Sequence, residues 1–291
     1  MVEYENRQPP EGINVSAEHP LRTFAKLAVA ALLLVAIVVA ALQLAGAFAA
    51  KRIPFEVERR LVDRLPLELG ADADHPEIVA YLNDLAARLG AHMALPPGMD
   101  VRVHYDPEDV FNAFATAGGH LVFYRGLLEA MPHENALATV MAHEIAHVLH
   151  RDPIAALGGG VASSVALLVL TGNAGSRAAS GVLQDAGLLT GMSFTRRMER
   201  AADAAAIGAV GRLYGHVDGA DELFSALVRA GGGSESRTPA WLERFASTHP
   251  LGEDRVEALA RGATEAGFAT EGGTTPLPEG FSRWLESPSD R

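Results

Sequence analysis

At 291 residues, with 48% apolar side chains and a formal net charge of −12, the chain is long enough for one large domain or two small ones. The acidic balance, with Lys and Arg only in short clusters, argues against the basic face that a nucleic-acid binder presents to phosphates. Cysteine is absent, which removes disulfides, a thiolate nucleophile, Cys-ligated zinc and a lipidated Cys from consideration.

Residues 1–26, with Pro9-Pro10 and scattered acids, read as a disordered polar tail. Residues 27–50, "LAVAALLLVAIVVAALQLAGAFAA", carry no charge and lie between Lys26 and Lys51-Arg52. As a helix this run spans roughly 36 Å, enough for a bilayer core of about 30 Å with some tilt. A transmembrane anchor is therefore expected. A buried soluble helix is one rival. A cleaved signal peptide is another, since "AFA" at 47–49 resembles a cleavage pattern. The length of the run and the polar leader before it favour an uncleaved anchor. Three basic residues precede the span (Arg7, Arg22, Lys26) and five follow it (Lys51, Arg52, Arg59, Arg60, Arg64). This count leans towards a cytoplasmic C-terminal part, whereas the cleavage pattern leans the other way.

Apolar residues at three-to-four spacing predict amphipathic helices over 55–68 and 76–94, the second through Ile78, Leu82, Leu85 and Leu89. "MDVRVHY", 99–105, alternates and predicts a strand. "NAFATAGGHLVFYRGLL", 112–128, predicts two short strands around Gly118-Gly119 and then a helix start. A helix follows over 134–151 and is expected to stop at Asp152-Pro153. The charge-free stretch 154–176 reads as a second membrane span or as a buried or lid-like helix. Helices are expected over 195–212 and 219–230, and two more over 238–262 around a break at Pro250. Residues 265–291, with several Gly, Pro and Ser, read as a loosely attached tail.

The chemistry concentrates in "ATVMAHEIAHVLHRD", 138–152. His143 and His147 are four apart, so a helix brings both imidazoles to one face where they can share an ion. Glu144 is turned by about 100° and reaches a water on that ion without ligating it. This H-E-x-x-H arrangement supplies two zinc ligands and a general base. A catalytic zinc needs a third protein ligand and an open fourth position. Six residues beyond His147 stands Pro153, which removes a third histidine there. His150 lies near the same face but cannot easily complete a tetrahedron from the same helix, and reads as substrate-facing, supporting or structural. In "RRMERAADAAAIGA", 196–209, Glu199 suits the third ligand. Asp203, one turn on, suits the carboxylate that orients a ligand imidazole. The bland alternative for both is a solvated face paired with Arg196, Arg197 and Arg200.

H-E-x-x-H followed some fifty residues later by E-x-x-x-D resembles metallopeptidase family forty-eight, whose members include HtpX, BepA and the CAAX prenyl endopeptidases. The likeness runs from about residue 75 to 262 and includes "NAFA…GG…GLL" and "STHP" with a following Arg. It implies an α+β fold, mainly helical with a small sheet, of the zincin (gluzincin) type, with the metallopeptidase domain over 55–264. It implies His143, His147 and Glu199 as ligands of one Zn2+ per chain, Glu144 as catalytic base and Asp203 as outer-shell support. His249 resembles the family's histidine near the metal, as oxyanion stabiliser or latent fourth ligand, with a helix cap or surface histidine as the alternative. Arg255 implies an oxyanion or substrate-carboxylate contact, or a surface ion pair. The strand 120–126 would offer an exposed edge to an extended peptide, with an ordinary core strand as an equal alternative. Where the family often has Gly between the ligand histidines, this chain has Ile145 and Ala146. A single clear span makes it closer to BepA-like than to HtpX-like members, with the anchor in place of a lipid. The implied protein is a single-pass metalloendopeptidase of a bacterial-type inner membrane acting on unfolded or misfolded protein. A latent, chaperone-like assembly factor is the alternative.

Overall fold

The computed structural model describes residues 20–65, 69–171, 194–222, 249 and 261–286. The expected helices over 219–230 and 238–262 fall almost wholly outside these residues. Helix α1 (Pro20–Ala50) is 31 residues long, about 46 Å at 1.5 Å per residue. Leu27, Leu33, Ile37 and Phe48 stand exposed along it. A helix this long, apolar and largely exposed has the length and composition of a membrane span. Among the described residues it is the one helix with the length and composition to cross a membrane.

Helix α2 (Phe55–Val62) follows at once, with Glu56 and Glu58 in its first turn and Arg59 and Arg60 in its last, each sign at the helix end that favours it. It stops short of the expected residue 68. Helix α3 (Pro76–Ala91) has Pro at its first position, where no helical N–H is lost. It buries Ile78, Leu82, Leu85, Ala86 and Leu89, the stripe its periodicity predicts. Each fully buried Leu there stabilises the fold by about 1.5–3 kcal/mol relative to exposure.

Three strands form a mixed sheet in the order β1-β3-β2. β1 (Arg102–Asp106) runs parallel to β3 (His120–Tyr124), and β2 (Ala113–Ala115) runs antiparallel to it, with Phe114 opposite Val122. The expected edge role of 120–126 is thereby corrected. β3 is the central strand, paired on both sides, and four of its five residues are buried, which suits a strand covered on both faces. The turn between β2 and β3 uses Gly118 and Gly119 at φ 84° and 85°, a left-handed conformation that favours glycine. A Cβ at Gly119 would overlap the Asp100 carbonyl.

After the short α4 (Arg125–Glu129), helix α5 (Glu134–Leu149) is buried at fifteen of its sixteen positions. Such all-round burial marks the central helix of the domain. It packs against α3, β2 and α7 (Arg196–Tyr214). Thr195 caps the N-terminus of α7 and Gly215 ends it at φ 81°. α5 ends at Leu149 with His150 as its C-cap, and Asp152-Pro153, the expected terminator, instead opens α6 (Asp152–Thr171), because Pro is tolerated in a first turn. α6 lies along α1. The contact is backbone-close, since a Cβ at Gly46 would overlap the Gly158 carbonyl and one at Gly158 would meet Ala50.

The C-terminal residues through Leu285 are not a loose tail, which corrects the expected domain end at 264. Glu134 N donates to Thr275 O at 2.8 Å and Thr275 N donates to Asn135 Oδ1 at 2.8 Å. Tyr105 Oη donates to Leu285 O at 2.7 Å. Helix α8 (Phe281–Trp284) seats Phe281 edge-on to Tyr81. Gly and Pro dominate the composition, yet a few apolar side chains and these hydrogen bonds suffice to dock the segment.

Candidate metal centre

α5 places His143 and His147 one turn apart with their Nε2 atoms 3.1 Å from each other. The other ring nitrogens are both engaged. His143 Nδ1 lies 2.9 Å from Asp203 Oδ1, and His147 Nδ1 lies 3.1 Å from Asp152 Oδ2. An ionised carboxylate only accepts, so these contacts assign the proton to each Nδ1 and leave a lone pair on each Nε2. Two lone pairs facing across 3.1 Å repel unless a proton or a metal cation stands between them.

α7 brings Glu199 to the same point. Its Oε2 is 3.5 Å from His143 Nε2, and its Oε1 is 3.4 Å from His147 Nε2 and 3.3 Å from His249 Nδ1. Glu199 and Asp203 are 3% and 5% exposed, so neither sits on a solvated face. Donor atoms of His143, His147, Glu199 and His249 all lie within 4.8 Å of one another. Neutral imidazoles plus a carboxylate, each imidazole of the α5 pair braced by a second carboxylate, fit a divalent transition-metal cation.

Glu144 lines the same space, 2% exposed, with Oε1 3.5 Å from His249 Nε2. Its Oε2 has no hydrogen-bond partner among the described residues. Such a buried oxygen costs about 1–3 kcal/mol unless something else satisfies it. His150 is outside the cluster; its carbonyl accepts from Lys51 Nζ at 2.8 Å. Arg255 lies outside the described residues.

Two supports escaped the sequence reading. Asp152 was legible only as a helix terminator, although it follows His147 by five positions and the turn folds it back. Phe194 stacks on the His147 ring at 4.0 Å between centroids and 20° between planes; nothing in its sequence neighbourhood signals that.

The profile of peptidase family M48 matches residues 72–263, which takes in α3, the sheet, α5, α7 and His249. The chain belongs to peptidase family M48. Among M48 relatives, it is 32% identical over 194 residues to the beta-barrel assembly-enhancing protease of Escherichia coli strain K12, covering 62% of this chain and 38% of that one. It is 31% identical over 194 residues to a protease HtpX homolog of Acidiphilium cryptum strain JF-5, covering 60% and 65%. To the mitochondrial metalloendopeptidase OMA1 of Saccharomyces cerevisiae it is 28% identical over 162 residues, covering 56% and 46%. The match thus spans little more than a third of the length of the assembly-enhancing proteases. M48 membership implies a catalytic metal, and the α5–α7 cluster is the group of suitable donors among the described residues.

Proposed function

We propose that this M48 chain is a membrane-anchored zinc metalloendopeptidase that cleaves misfolded or unassembled membrane and envelope proteins. The observation that carries the reading is the convergence of His143, His147 and Glu199 beside the unpartnered Oε2 of Glu144. In this reading the three residues ligate one zinc, while Asp203 and Asp152 fix the imidazole tautomers. Zinc, when bound, supplies Lewis-acid chemistry, polarising the scissile carbonyl and bringing the pKa of water to roughly 7. Glu144 Oε2 takes the proton of the attacking water and later gives it to the leaving amine. His249, whose Nε2 faces Glu144, donates to the charge that develops on the carbonyl oxygen, with Arg255 in the same role by family resemblance. An extended substrate would pair with an outer strand. Since β3 is central, that part falls to β2, which lies against α5. The envelope substrate class is supported by the likeness to proteases whose name refers to beta-barrel assembly. The bilayer contact is supported by α1.

Metal content and casein cleavage of the detergent-purified wild type and Glu144→Gln, side by side, test the reading. Equal zinc in both, with cleavage reduced by about 10²–10⁴-fold in the variant, is expected. Cleavage by Glu144→Gln at the wild-type rate would remove the base assignment. Zinc without cleavage in either protein would indicate a latent site, and His249→Ala should then release activity.

A further inference from the structure

Two more histidines face each other on the sheet, away from α5 and α7. On parallel neighbours β1 and β3, His104 pairs with Val122 and Arg102 pairs with His120. The two imidazoles therefore sit diagonally on one face of the sheet. His104 Nε2 is 3.0 Å from His120 Nδ1. The outward nitrogens each meet a carboxylate: His104 Nδ1 lies 2.6 Å from Asp72 Oδ2, and His120 Nε2 lies 3.2 Å from Asp63 Oδ1. Asp72 is itself held, accepting from Tyr105 N at 3.0 Å.

Two ring nitrogens this close hold either a shared proton or a cation between them. With no extra proton between them, the two rings carry one N–H each, and the acceptor-only carboxylates take both. Two lone pairs are then left facing each other at 3.0 Å in a buried setting, with His104 and His120 9% and 6% exposed. The α5 pair has the same pattern, lone pairs inward at 3.1 Å and a carboxylate behind each ring. We propose that His104 Nε2 and His120 Nδ1 ligate a second divalent cation of the zinc class, with Asp72 and Asp63 orienting the two rings. At zinc–nitrogen distances of about 2.1 Å, a tetrahedral angle needs the nitrogens about 3.4 Å apart, which a small rotation of either ring provides. The pair borders an open cleft of about 520 Å³ lined by Val62, Leu65, Leu69 and Gly70, with room for water to complete the coordination. The flanking carboxylates favour a cation there and disfavour an anion. Asp63 directly follows α2 and Asp72 precedes α3, so the ion would fasten the segment after the anchor to the sheet.

Zinc bound per chain tests this, measured on the detergent-purified full chain after equilibration with zinc chloride. Wild type should hold two ions, the double variant His143→Ala/His147→Ala one, and His104→Gln/His120→Gln one. If wild type holds one ion and the α5 double variant none, the rings share a proton instead and the proposal fails. If the α5 double variant keeps the wild-type content while the sheet variant loses one, the sheet site stands and the peptidase reading falls. Should the sheet variant not fold, the α5 double variant alone decides. The ion it retains should bind about 10–100-fold more weakly once Asp72→Asn is added. Unchanged affinity would overturn the assignment.

Discussion

Glu134, in the first turn of α5, accepts hydrogen bonds from Tyr81 Oη at 2.8 Å, Tyr214 Oη at 2.8 Å and Arg88 Nη1 at 3.1 Å. These partners come from α3 and α7, so one carboxylate ties three helices together at the end of α5 remote from His143 and His147. Burial would raise the Glu134 carboxyl, but Arg88, Tyr214 and Tyr81 together hold it below the ordinary range. Because the folded value is the lower one, the stabilisation is fully present above the unfolded value of about 4.3 and is lost as pH falls through the folded value. Glu134→Gln should therefore cost about 1–3 kcal/mol at neutral pH, and the gap should narrow below about pH 4. Thermal unfolding of both proteins across that range measures it; a constant gap would mean that the carboxylate charge is not what stabilises. Glu199 is a buried glutamate of another kind, facing imidazoles whose protons point elsewhere. Its partners His143 and His147 were legible because four-residue spacing on one helix fixes a shared face. Lys51 and Asp152 were not, since their contact at 3.0 Å joins residues 101 positions apart.

Helix α7 carries its chemistry on the face that also carries its small residues. Glu199, Ala202, Asp203, Ala206 and Val210 are buried together, and the alanines let α7 approach α5 closely enough for its carboxylates to reach the imidazoles. Enlarging Ala206, which is 1% exposed, should therefore act twice. Ala206→Leu is expected to overpack the core at a cost of about 1–3 kcal/mol and, by pushing α7 outward, to loosen zinc. Chelator competition and thermal unfolding on the same sample separate the two effects. A destabilised protein that holds zinc as tightly as wild type would show that the α5–α7 spacing does not set the site. At this scale, periodicity made α3, α5 and α7 legible, because each presents a fixed face to its neighbours. Strand order was not legible. Nothing local in "HLVFY" states that β1 will dock beside β3, since that pairing joins segments 18 residues apart in register. The docked C-terminal segment was missed for a related reason: Phe281 and Leu285 find their partners near Tyr81 and Tyr105, far away in the chain.

At the scale of the whole molecule, a short chain of contacts leads from the apolar helix α1 to the histidine cluster. The residue after α1 is Lys51, whose Nζ donates to His150 O at 2.8 Å and Asp152 Oδ1 at 3.0 Å. Asp152, 1% exposed, turns its other oxygen to His147 Nδ1. α1 and α6 also meet at Gly46 and Gly158, close to these contacts in the chain. In the proposed reading α1 does more than tether, because the residue that follows it, Lys51, holds the carboxylate that meets His147 Nδ1. Lys51→Met should leave membrane insertion intact, since it removes one charge at the helix end. It strips Asp152 of its ammonium partner and should weaken zinc by about 10-fold or more, in the range of losses from a supporting group behind a ligand. Lys51→Arg should restore part of that affinity. Gly158→Leu approaches the same link without touching a charge: it wedges α6 from α1 and should weaken zinc while the Lys51–Asp152–His147 residues remain present. Chelator competition on membrane-extracted protein reads both variants. If Lys51→Met and Gly158→Leu bind zinc as wild type does, anchor and centre are only neighbours; if both weaken it, the position of the anchor is part of the zinc site.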